Sequence, residues 1–158
     1  MSAALLAFAL VGAAQPVTEK DAVREFAAIC VDHFQNLAGM KQAAAASPRG
    51  YVLEDANSEY LSRIWRSPGL TIDYYQGGVR SSQFPECKLT ADLVRPVVKR
   101  RVYDALASLP GSTTAPRWSG EGAWVVPKKG TVVAKIDAGQ HRRITLSLQP
   151  LFPKRKQS

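Results

Sequence analysis

Two runs decide the fold class: Thr131-Val132-Val133-Ala134-Lys135-Ile136 and Arg142-Arg143-Ile144-Thr145-Leu146-Ser147-Leu148-Gln149. In the first, Val132, Ala134 and Ile136 recur at every second position; in the second, Ile144, Leu146 and Leu148 do. A period of two is the mark of a half-buried strand. Asp137-Ala138-Gly139-Gln140 separates the runs and is long enough only for a turn, so the strands are antiparallel. Upstream, Ala123–Val126 reaches Thr131 through the four-residue loop Pro127-Lys128-Lys129-Gly130. The C-terminal third therefore predicts a β-meander with Val132, Ala134, Ile136, Ile144, Leu146 and Leu148 on one buried face.

The same period extends upstream. Leu70, Ile72 and Tyr74 alternate with polar or aromatic neighbours, as do Cys87, Leu89, Ala91 and Leu93. Between this last run and the meander lies a helix, placed with Pro96 in its first turn and with Val98, Val102, Ala105 and Leu109 on one face. Pro110-Gly111 stops it, and Ser112–Gly120 reads as a mobile loop. At the other end, Thr18 with Asp21 three residues on is a capping signal. Val23, Phe26, Cys30, Phe34 and Leu37 then form an apolar helical stripe. Asn36 and Gly39 break it, leaving Leu37–Ala46 as a second helix that ends at Ser47-Pro48-Arg49-Gly50. A short helix is expected around Ser58–Trp65 from Leu61, Ile64 and Trp65. The order predicts an α+β fold. N-terminal helices and one later helix pack on one face of a mostly antiparallel sheet that ends in a β-meander.

The chain has 158 residues, 46% hydrophobic and 22% charged, a mix that excludes disordered, collagen-like and multi-span membrane chains. Residues 1–14 are apolar and uncharged, with Gly12 and Ala14 at the small positions of a cleavage site before Gln15-Pro16. Such a run is shorter than the ~20 residues a bilayer span needs and reads as a signal peptide. The organisation predicted is a signal peptide over 1–14, one α+β domain over 15–152 and a basic tail over 153–158. The expected location is periplasmic or secreted.

Cys30 and Cys87 are the two cysteines, and each falls on a core-facing position. In an exported domain that pattern predicts a disulfide. Two reduced buried thiols are one alternative. A Cys2His2 zinc set of Cys30, His33, Cys87 and His141 is another, although no knuckle spacing supports it. No metal or cofactor is called.

Catalytic motifs are absent: there is no G-x-S-x-G, S-x-x-K, H-E-x-x-H or P-loop. With two histidines in the chain, a small hydrolase would use His141 with Asp137. Trp65 and Trp124 read as core residues, and Trp118 stands in the polar loop beside Arg117.

Charge is distributed unevenly. Residues 15–94 carry 8 Lys/Arg against 10 Asp/Glu, whereas residues 95–158 carry 13 against 3. The basic residues cluster as Lys99-Arg100-Arg101, Lys128-Lys129, Arg142-Arg143 and Lys154-Arg155-Lys156. This skew points to an anionic partner: lipid, polysaccharide or an acidic protein. Specific nucleic-acid binding is disfavoured by the leader and by the lack of a reading motif. Lys99, Arg100, Arg101, Arg142 and Arg143 are the candidate anion-binding residues. In a meander, Lys128-Lys129 and Arg142-Arg143 fall at opposite ends of the strand Thr131–Ile136. The Lys99 cluster joins whichever end its helix crosses toward. The expectation is thus an exported, non-enzymatic binding protein, with the His141 hydrolase as the alternative.

The uncharged leader, the helix carrying Phe26 and Cys30, the Ala-rich helix ending near Gly50-Tyr51 and the Cys87 strand together resemble small exported bacterial two-cysteine proteins of unknown function. The resemblance implies a periplasmic or secreted location and no activity.

Overall fold

The computed structural model of the protein describes residues 16–55, 62–77, 84–119, 122–136 and 141–150. The expected leader 1–14, the basic tail 153–158 and Asp137 lie outside the described residues.

The described residues open with helix α1, Glu19–Phe26, which runs on into a π-turn over Ala27–Val31. Thr18 and Asp21 form the expected capping box: Asp21 N–H donates to Thr18 Oγ1 at 3.2 Å, and Thr18 N–H donates to Asp21 Oδ2 at 3.2 Å. The π-turn is closed by Asp32 N–H donating to the Ala27 carbonyl at 2.9 Å. The extra residue in the turn lets Ile29, Cys30 and Val31 all be buried in succession, which one α-helical stripe does not permit. Gln35, at φ 66°, and the N-cap Asn36 then reset the chain for helix α2, Leu37–Ala46. Asn36 Oδ1 accepts from Gly39 N–H at 3.1 Å.

Four strands follow: β1 Val52–Asp55, β2 Ser62–Ser67, β3 Leu70–Tyr75 and β4 Glu86–Asp92. Helix α3, Lys99–Ala107, crosses over to four more: β5 Arg117–Ser119, β6 Gly122–Val125, β7 Thr131–Ile136 and β8 Arg143–Gln149. All eight form one antiparallel sheet in the order β1-β2-β3-β4-β8-β7-β6-β5. The fold is thus two successive helix-then-four-strand-meander halves, the first carrying the extra helix α2, joined where β4 pairs β8. Helices α1 and α3 pack on each other and on the same face of the sheet. The α+β architecture and the closing meander are as the alternation predicts.

The register buries the expected residues. Val132, Ala134, Ile144, Leu146 and Leu148 are fully buried, and Ile136 is half-buried at its strand end. Leu70, Ile72, Tyr74, Cys87, Leu89 and Ala91 share that core with Phe26, Ile29 and Met40.

Several local expectations are corrected. Ser62–Trp65 is part of strand β2 rather than a helix; Trp65 is buried at 3% exposure and pairs Ile72, while Ile64 lies on the helix-free face. Pro68-Gly69 turns β2 tightly into β3, with Ser67 opposite Leu70. Gly69 takes φ +75°, and a Cβ there would lie 3.1 Å from Val17 Cγ2, so glycine fits this turn. Pro96 stands ahead of α3 rather than inside it, and Val98 is the exposed N-cap of the helix instead of part of its core face. The loop Ser112–Gly120 contains edge strand β5, which places Trp118 opposite Ala123. Trp124 falls within strand β6, where its backbone pairs Val133.

A polar clamp fixes the chain after α2 onto α1. Ser47 Oγ donates to buried Glu25 at 2.7 Å, Arg49 reaches Asp21 at 3.3 Å, and Ser67 Oγ donates to the Arg49 carbonyl at 2.6 Å. Burial would raise the Asp21 carboxyl, but the bonds from Thr18 and the charges of Arg24 and Arg49 outweigh it and hold the group below its ordinary value. A carboxyl lowered on folding adds stability above its unfolded pKa, about 3.9, and that stability is lost as pH falls through the folded value. Asp21→Ala is therefore expected to cost about 1 kcal/mol at neutral pH. It should also make the loss of stability on acidification shallower below about pH 4. Urea melts across acid pH check this. Parallel curves for the two proteins would show that Asp21 does not supply the dependence.

Candidate functional site

The candidate surface is built where α3 begins. Two backbone bonds set it: Leu93 N–H donates to the Arg142 carbonyl at 2.7 Å, and Val97 N–H donates to the His141 carbonyl at 2.7 Å. They tie the segment leading into α3 to the segment leading into β8. Lys99-Arg100-Arg101 is thereby brought to the same end of the sheet as Arg142-Arg143, although more than 40 positions separate the runs. Lys128-Lys129 lies at the opposite end of β7, since Thr131 pairs Gln149 while Ile136 pairs Ile144.

Within the cluster the residues have different surroundings. Lys99, Arg100 and Arg101 are exposed in the first turn of α3, and Arg142 and His141 are exposed in the turn before β8. Arg95 adds a further exposed cation. Arg143 points to the helix-free face, where its Nε donates to Asp92 at 2.7 Å. Arg100 meets Asp104 at 3.9 Å, one helical turn on. Both are exposed ion pairs, the kind that contributes at most about 1 kcal/mol and is readily exchanged for another anion.

Beneath this surface lies Glu19, buried at 5% exposure. Its Oε1 accepts from Val98 N–H at 2.9 Å. The first residue of α1 thus serves the N-cap backbone of α3 from inside, and a carboxylate complements the positive end of a helix. The side-chain cations, rather than this amide, face outward.

Shallow depressions follow the start of α3. One of about 450 Å³ is lined by Lys99, Arg100, Tyr103 and Asp104. Another of about 250 Å³ lies between Pro16–Glu19, Leu93–Arg95 and Arg101. A separate hollow of about 490 Å³ lies on the helix-free face, among Ser62, Ile64, Asp73, Tyr75, Phe84, Glu86 and Gln149. There Glu86 accepts from Ser147 Oγ and, at 3.2 Å, from Gln149 Nε2. Asp73 meets Lys88 at 3.4 Å.

The cysteines are bonded to each other, Cys30 to Cys87, with their Cα atoms 5.6 Å apart. This overturns both the paired-thiol and the zinc alternatives, because neither sulfur retains a thiolate to ligate. His33 belongs to the other end of the molecule, beside Asn36 and Gly39. His141 precedes β8, whereas Cys87 pairs Leu148 near that strand's far end. Among the described residues no group of three or more His, Cys, Asp or Glu side chains could hold a metal ion. The Asp137 partner proposed for His141 falls outside the described residues.

Charge skew is a sequence signal for the cations. Sequence reading gave no sign of the exposed apolar residues among them. Val98, expected on the core face of its helix, is 42% exposed, and Val94 is 45% exposed. Tyr103, inside α3, is 39% exposed. No helix of the described residues is long and apolar enough to cross a membrane.

No family model, curated protein or solved structure matches the chain.

Proposed function

We propose that this is an exported, non-enzymatic binding protein that takes an anionic partner on the surface formed by Lys99, Arg100, Arg101 and Arg142, with Arg143 at its border. The observation that carries the reading is the pair of backbone bonds from Leu93 and Val97 to Arg142 and His141. They gather two separate basic runs on one rigid platform. Gathered cations raise the local potential far more than scattered ones and attract anions from solution. Export, to the periplasm or beyond the cell, is supported by the apolar leader. The Cys30–Cys87 disulfide also fits an oxidising compartment.

Heparin chromatography along a salt gradient tests this. The wild type is expected to elute well after the variant with Lys99, Arg100, Arg101 and Arg142 all changed to Ala. Lys128→Ala/Lys129→Ala, at the opposite end of β7, should elute close to wild type. The contact should vanish near 0.5 M salt, where screening acts over roughly 4–5 Å. Equal elution of wild type and the four-Ala variant, or an equal loss from the Lys128/Lys129 variant, would overturn the assignment.

A further inference from the structure

The cationic surface carries an apolar component that bare anion binding does not use. Six large apolar side chains stand out as exposed among the described residues, and Val94, Val98 and Tyr103 are three of them. These three fall within ten positions of chain and interleave with Arg95, Lys99, Arg100 and Arg101. Tyr103 follows Lys99 by four positions and Arg100 by three, so the three share one face of α3 and line one depression. Val94 and Arg95 line the neighbouring depression with Arg101.

This platform is held in place before any partner arrives. Val94 N–H donates to the Val17 carbonyl at 3.3 Å, Val97 N–H to the His141 carbonyl at 2.7 Å, and Val98 N–H to Glu19 Oε1 at 2.9 Å. The aliphatic tips therefore project from fixed backbone, and little ordering entropy opposes their insertion.

Resting on the anion-binding reading above, we infer that the partner is the surface of a bilayer containing anionic lipid, with Val94 and Val98 entering the acyl boundary, Tyr103 at headgroup level, and Arg95, Lys99, Arg100, Arg101 and Arg142 on the phosphates. Each part of the patch then meets its complement. Aliphatic side chains leave water only where an apolar phase receives them. Tyrosine is favoured at the membrane–water interface, and long cationic side chains reach headgroups while their stems cover apolar surface. A polysaccharide polyanion offers charge to the cations but no apolar phase to the valines. The acids of the patch do not defeat the charge match. Asp104 faces Arg100, Asp92 faces Arg143, and Glu19 is buried against Val98 N–H. Insertion is limited to loop and helix-start residues, so binding is peripheral and reversible.

Sedimentation with vesicles tests this, using phosphatidylcholine alone and phosphatidylcholine mixed with phosphatidylglycerol, on three proteins: wild type, the four-Ala charge variant, and Val94→Ser/Val98→Ser/Tyr103→Ser. The substituted side chains of this last variant are all exposed, and Ser suits the N-cap position that Val98 holds. Wild type is expected to sediment with the mixed vesicles and not with phosphatidylcholine alone. Each cation removed should weaken partitioning about fivefold. The Ser variant should lose about tenfold on mixed vesicles, yet elute from heparin with wild type. Circular dichroism confirms that it is folded. Vesicle binding by the Ser variant equal to wild type would overturn the inference. So would heparin retention of wild type without vesicle binding, an outcome that points to a polyanion or an acidic protein and leaves the anion-binding reading standing. Loss of both heparin and vesicle binding in the wild type would overturn both.

Discussion

Reduction of Cys30–Cys87, or replacement of both residues by Ala, is expected to lower the stability of the folded chain by about 4 kcal/mol. The bond closes 57 positions of sequence. It ties the π-turn to β4 and encloses α2, β1, β2 and β3, which is the whole first meander except its last strand. Freed of the bond, that length of unfolded chain gains the entropy of an open loop, and this supplies the figure. Domains of this size hold about 5–15 kcal/mol in total, so the reduced protein stands close to its unfolding limit. Both sulfurs are fully buried, Cys87 between Tyr74 and Leu148, so their removal also leaves a small void in the core. Single Cys→Ala variants should lose nearly as much as the double, because either one breaks the same link. Guanidinium melts with and without reductant measure the loss as a shift of midpoint. Identical midpoints, or two thiols alkylating in the unreduced denatured protein, would refute the link.

The fold was legible where one face of an element is buried and the other is wet. β3, β4, β7 and β8 are such strands, and their alternation gave their extent and their core residues directly. β2 misled because Leu61, Ile64 and Trp65 also fit helical spacing; a short apolar run carries both periods. The arbiter is the Pro68-Gly69 turn, which pairs Ser67 with Leu70 and draws the segment into the sheet. β1 and β5 were missed because edge strands need no buried face. In β1, Val52 and Leu53 are 65% and 44% exposed, and a register shift between Leu53 and Asp55 disrupts the edge. The start of α3 escaped for another reason. Val98 is not a capping residue by type, and the carboxylate serving it comes from Glu19, 79 positions away.

The candidate surface divides the same way. Its charge is plain in the sequence, since Lys99-Arg100-Arg101 and Arg142-Arg143 are contiguous runs. Their meeting was not, because it depends on which end of the sheet α3 begins at. Arg143 shows a further limit. Strand alternation puts it on the helix-free face, beside Asp92, away from the cations with which its sequence position groups it.

Leu146→Ala is expected to cost about 3–5 kcal/mol and to do so without dividing the unfolding transition. Leu146 is fully buried and sits across from Leu89 on β4 and Ala134 on β7. It therefore stands at the seam where the two helix-plus-meander halves meet. That seam is a full ladder from Cys87–Leu148 to Asp92–Arg143, and α1 packs on both of its strands. A void at this point loosens both halves together, since the surrounding side chains are fixed by strands on either side and relax only in part. Thr145→Ala, one residue away on the helix-free face, removes no core volume and should cost less than about 1 kcal/mol. The pair of variants separates loss of core packing from a general weakening of β8. Leu89→Ala should behave like Leu146→Ala, and the double variant should cost less than the two singles added, because they empty one shared space. Far-ultraviolet circular dichroism and tryptophan fluorescence, followed through the same denaturant series, should report a single coincident transition in every variant. Two separated transitions in Leu146→Ala would mean that the halves hold their structure independently and that the β4–β8 seam is an interface between them rather than the centre of one core.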